Sequence, residues 1–181
     1  MTNLRLSRSQ LEKAIVAYIE KCLSQTRFHW VTVQARAGEV DENGRFKLTD
    51  LQELPLPCVA VAAPVGIRHP MGFTECELHV IVLGPMNKIE DDTKPEKNVI
   101  DPSNFHTELV GIVANVLGEE MLDQVRAAVN APESGPDLRR VKDFRLFGYL
   151  PKDESSQETD TSFIDDFVYT AHSQPTDDTS L

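Results

Sequence analysis

Along residues 101–118, DPSNFHTELVGIVANVLG, apolar positions recur every three or four residues. Phe105, Leu109, Ile112, Val113, Val116 and Leu117 fall on one side of a helix, with Asp101 as N-cap, Pro102 in the first turn and Gly118 at the end. The same spacing over residues 9–24 puts Leu11, Ile15, Tyr18, Cys22 and Leu23 on one stripe, and Ser9 with Glu12 has the spacing of a capping box. Elsewhere the period shortens to two. In ECELHVIVLG, Cys76, Leu78, Val80 and Val82 face one way, and Glu75, Glu77, His79, Ile81 and Leu83 the other. One face reads as buried and the other as mixed, the signature of an antiparallel sheet covered mainly on one side.

Further strands are expected from β-branched, aromatic or apolar content at 28–35, in the run CVAVAAP at 58–64 after the LPLP break, at 143–150 and at 162–172. DENG at 41–44 signals a turn with a return strand in RFKL, and PVGIRHPMGF at 64–73 reads as a long hairpin connection. The polar stretch 85–98 is expected to be a loop, 120–130 a short helix, 131–137 a loop, and the acidic KDESSQETDT a loop before the last strand. Strand runs with helices grouped apart predict an α+β fold: a mostly antiparallel sheet of about four to six strands, with two main amphipathic helices packed on one face. One domain is expected over 1–172, followed by a disordered acidic tail over 173–181.

Charge sharpens this picture. The formal net charge is −11 over 181 residues, and seven of those negative charges fall after Leu150. No basic footprint of the kind that grips a phosphate backbone is concentrated in the chain, so no sequence-specific nucleic-acid partner is expected. No apolar run approaches membrane-spanning length, and no secretory leader is expected at the N-terminus. Cys22, Cys58 and Cys76, odd in number and widely spaced, read as packing groups in a reducing compartment.

No catalytic, cofactor-binding or metal-binding residue is expected from the sequence. His29, His69, His79, His106 and His172 lack ligand spacing and read as surface or half-buried, although His79 and His106 could meet in space. Asp165 and Asp166 are adjacent on a strand and face opposite sides, so they are expected to act as solvating charges near a sheet edge rather than as one acid–base pair. No nucleophile elbow, phosphate-binding glycine loop or dinucleotide fingerprint is present.

The order of elements then carries a resemblance. An N-terminal amphipathic helix, strands leading into CELHVIVLGP, the helix FHTELVGIVANVL, a late LFGYL strand and a closing SFIDDFVYTAH strand are together similar to the tail-terminator or tail-completion proteins of tailed bacteriophages and prophages. That resemblance implies a non-enzymatic assembly protein, without cofactors. It joins copies of itself into a ring, commonly six, that caps the tail tube and meets the neck or head-completion proteins. It implies assembly in the cytoplasm of the bacterial host and a final place in the virion tail. The mixed-charge loop residues Lys88, Glu90, Asp91, Asp92, Lys94, Glu96 and Lys97 are the candidate interface. Two alternatives stand beside it: a bacterial protein-binding adaptor or immunity-like domain, and a small enzyme whose residues to test would be His79, His106 and Asp166.

Overall fold

A computed structural model describes residues 8–35, 51–62, 67–68, 74–117 and 144–175. The order is α1 (Arg8–Leu23), β1 (Thr32–Ala35), β2 (Cys58–Ala62), β3 (Ile67–Arg68), β4 (Thr74–Pro85), a 3-10 turn (Pro95–Lys97), α2 (Pro102–Val116), β5 (Phe144–Glu158) and β6 (Ser162–Pro175). The sheet runs β1-β2-β4-β6-β5, with the short β3 also paired to β4. β1 is parallel to β2, and every other pairing is antiparallel. This is the expected α+β class: a mixed, mostly antiparallel sheet with two helices packed against it. The expected turn and return strand at 41–48, the short helix at 120–130 and the loop at 131–137 lie outside the described residues.

The α2 stripe does what its spacing predicts. Phe105, Leu109, Val113 and Leu117 are buried, and Ile112 and Val116 are partly covered. Asp101 caps the helix by accepting from the Asn104 amide at 3.3 Å. On α1 the buried line is Glu12, Ile15, Ile19 and Leu23, rotated from the expected stripe, since Tyr18 and Cys22 are only half-buried. Ser9 lies within that helix, which begins no later than Arg8, so it is not the N-cap. Both helices share one core with Val33, Val59, Val61, Leu78, Val80, Val82 and Phe167.

The alternation in β4 holds from Leu78 to Leu83, but its second face is not open. Ile81 and Leu83 join Cys58, Ala60, Ala62 and Ile164 in a second core, closed by Leu51, Leu54 and Leu56 from the segment before β2. β2 is therefore buried on both faces, which explains why CVAVA shows no polar alternation.

Two expected boundaries move. The strand placed at 28–35 is confined to Thr32–Ala35, because the chain leaves α1 through successive turns. Thr26 N–H donates to the Leu23 carbonyl, His29 N–H to that of Thr26, and Val31 N–H to that of Phe28. Phe28 is buried against the Phe105 ring, 5.1 Å between centroids. The acidic segment after Leu150 is not a loop: β5 continues to Glu158, and only Thr159–Thr161 connect it to β6. Polar residues suit this position because β5 lies at the outer end of the sheet, where charge discourages stray pairing. β6 runs to Pro175, past the expected start of the tail at 173.

β3 continues β2 along the same edge of β4. Ala62 faces His79 at the end of β2, and Ile67 faces Glu75 in β3. The long connection expected at 64–73 thus carries a strand of its own.

Candidate functional site

β6 lies between β4 and β5 and carries both carboxylates of the Asp165–Asp166 pair to opposite faces of the sheet. Each meets a histidine. On the second face Asp166, paired across the ladder with Ile81, reaches His79 Nδ1 through both oxygens, at 3.2 and 3.0 Å. His79 is fully buried and Asp166 is 6% exposed. On the helix face Asp165, paired with Val82, lies 2.5 Å from His106 Nε2, which α2 brings down onto the sheet. An ionised carboxylate only accepts, so His106 donates through Nε2. These contacts correct three expectations. Neither histidine is a surface group, the two do not meet, and Asp165 and Asp166 are not solvating charges but histidine partners on either side of one strand, Asp165 half-buried and Asp166 buried.

His106 is seated by its surroundings. Its ring stacks on Phe163 at 5.3 Å, and its Nδ1 presses on Gly84, where a Cβ would stand 2.4 Å away. That nitrogen has no hydrogen-bond partner among the described residues. Ser156, opposite Asp165 in the β5–β6 ladder, donates to the second carboxylate oxygen at 2.5 Å. Burial pushes the Asp165 carboxyl up, but the hydrogen bonds from His106 and Ser156 together outweigh it and hold the group below the ordinary carboxylate range.

The chemical order of these groups is serine, carboxylate, imidazole. A nucleophilic triad needs the hydroxyl on the imidazole and the carboxylate behind it. Here the carboxylate lies in the middle and binds both neighbours, while the remaining imidazole nitrogen is pressed against backbone. The arrangement serves to fasten α2 to the β5–β6 hairpin. No group of three or more histidine, cysteine, aspartate or glutamate residues is placed to hold a metal ion among the described residues.

Beside this cluster lies a cleft of about 530 Å3. One side of α2 (Ser103, His106, Thr107 and Val110) forms its wall. Two cross-strand pairs, Ser156–Asp165 and Glu158–Phe163, form its floor.

The expected interface loop is ordered. Ile89 and Val99 exchange both backbone hydrogen bonds, at 3.0 and 2.9 Å, and close the residues between them into a compact loop. Asp91 accepts from the Thr93 amide at 2.9 Å and its hydroxyl at 2.5 Å, which holds the carboxyl below its ordinary range. Lys88, Glu90, Asp92, Lys94 and Glu96 are exposed, and Asp91 and Lys97 partly covered. The buried histidine–aspartate pairs were not deducible from spacing, since their members lie 59 and 87 residues apart. No protein-family model matches the chain, and no curated protein matches it.

Proposed function

We propose that this chain is a non-enzymatic assembly subunit of a bacteriophage or prophage tail, a ring-forming tail terminator that caps the tail tube and joins it to the neck. The observation that carries this reading is the disposition of the sheet. Two helices close one face over a shared core, while the fifteen-residue β5 occupies an outer position and the charged 88–97 loop stands ordered on the surface. A ring of identical subunits requires two complementary patches on each copy, joined head to tail until the rotation closes. A long outer strand and a mixed-charge loop closed by the Ile89–Val99 bridge are features suited to such a contact. The titratable groups of the Asp165–Asp166 region are engaged in tying elements together, which is consistent with an assembly role.

Light scattering on the purified chain, alone and with tail-tube protein, tests the reading. A particle of ring mass in either condition is the expected result. A strict monomer at high concentration that also fails to bind the tube would overturn it, and a one-to-one complex would favour the adaptor reading.

A further inference from the structure

The cleft between α2 and the β5–β6 hairpin is not used up by the contacts that anchor His106. Its floor carries two carboxylates, Asp165 and Glu158, and no lysine or arginine lines it among the described residues. Asp165 is satisfied by His106 and Ser156. Glu158 is exposed, and its carboxylate has no side-chain partner among the described residues. Directly across the ladder from Glu158 is Phe163, half-buried, whose ring is backed by the His106 imidazole. An unpaired carboxylate thus stands next to an aromatic ring held in a fixed orientation.

We infer that this cleft seats an arginine side chain presented by a protein partner. A guanidinium is planar, so it stacks on an aromatic ring while its edge donates a fork of hydrogen bonds to a carboxylate; a lysine ammonium offers a point charge without that plane. Phe163 and Glu158 supply the ring and the acceptor side by side. An anionic ligand is disfavoured, because it would meet two carboxylates. The N-terminal end of α2 contributes roughly half a positive charge nearby. That is smaller than the two negative charges on the floor, and the Asp101 carboxylate already caps it. The inference rests on the assembly reading only in taking the partner to be a protein.

The test is a titration of the isotope-labelled full chain, followed by amide chemical shifts, at a concentration where light scattering reads a monomer. The probe is a blocked glycine–arginine–glycine tripeptide, with the citrulline and lysine versions as comparisons. The arginine peptide is expected to give saturable shifts at Thr107, Gln157 and Phe163, with citrulline giving none and lysine weaker ones. Glu158→Gln, at an exposed position that folding does not need, is expected to weaken binding by about tenfold, the effect of losing one charge-assisted contact. Phe163→Leu is expected to erase the preference for arginine over lysine. Shifts that are absent, map elsewhere, appear equally with citrulline or lysine, or persist unchanged in the Glu158 variant would overturn the assignment. Ring assembly is read separately: a chain that binds the arginine peptide but stays monomeric at high concentration and fails to bind tail-tube protein sinks the ring reading alone, and a ring-forming chain that ignores the peptide sinks this one alone.

Discussion

His106 and Asp165, fifty-nine residues apart in the chain, meet at 2.5 Å and join α2 to β6, the strand between β4 and β5. Because the Asp165 carboxyl is held below its ordinary range in the fold, its contribution is fully present above about pH 4 and is lost as pH falls through the depressed native value. Asp165→Asn is expected to cost about 1.5–3 kcal/mol at neutral pH, the range for a hydrogen bond to a charged group. It should also flatten the acid limb of the stability profile. Urea midpoints measured from neutral pH downward check both effects, and an unchanged acid limb would count against the assignment.

Gly84→Ala places a methyl group 2.4 Å from His106 Nδ1 and 2.9 Å from Cγ. The ring has little freedom to yield, since Phe163 and Asp165 hold its far side. A loss of about 1–3 kcal/mol is expected, as for other overpacked sites. In a His106→Ala background the same change should cost much less, so a double-mutant cycle by thermal denaturation reads the contact directly.

Asp166→Ala leaves the fully buried His79 without its carboxylate. The expected cost is about 1–3 kcal/mol, the penalty for an unsatisfied buried group. Any functional assay of variants at His79, His106 or Asp166 therefore has to be read beside a measurement of folding.

Asp91→Ala removes the turn that holds Thr93. Faster hydrogen exchange is expected at the Thr93 and Lys94 amides, with the global unfolding midpoint unchanged. Equal exchange in both proteins would show that the Ile89–Val99 bridge suffices to order the loop.

Lys88 and Lys94 are exposed, so changing both to Glu is expected to shift stability by no more than about 0.5 kcal/mol. If the loop contributes to ring contacts, the double variant loses the assembled species in light scattering. A ring of unchanged mass removes the loop from the interface. This is a cleaner probe than deleting 85–98, which would take away Ile89 and strip the buried Val99 of its partner.

Periodicity was informative where burial is one-sided. The Phe105–Leu109–Val113 line and the alternation from Leu78 to Leu83 are both read correctly from apolar spacing, because a face that meets a core leaves a repeating mark. The distal half of β5 left no such mark: Asp153, Glu154 and Glu158 sit on an outer strand, whose ladder bonds are made by backbone whatever the side chains. The cover supplied by Leu51 and Leu54 was also hidden, since a short irregular segment has no period. Strand geometry correctly implied that Asp165 and Asp166 would not act as one pair. It could not supply their histidines, which depend on how distant elements fold together.

The polarity of FIDDFV, residues 163–168, reads almost the same from either face of β6: apolar, acidic, apolar on each. A slip of the strand by one residue would still offer each sheet face a carboxylate between two apolar groups, so this stretch is a poor marker of its own alignment. The hairpin tip supplies one fixed point of alignment. There Thr159 N–H donates to the Ser162 carbonyl at 2.8 Å, the Thr159 hydroxyl accepts from the Ser162 amide at 3.0 Å, and Met86 N–H fastens to the Thr161 carbonyl. The three-residue turn thereby helps to set which aspartate each histidine receives, and both partnerships depend on the same alignment of β6.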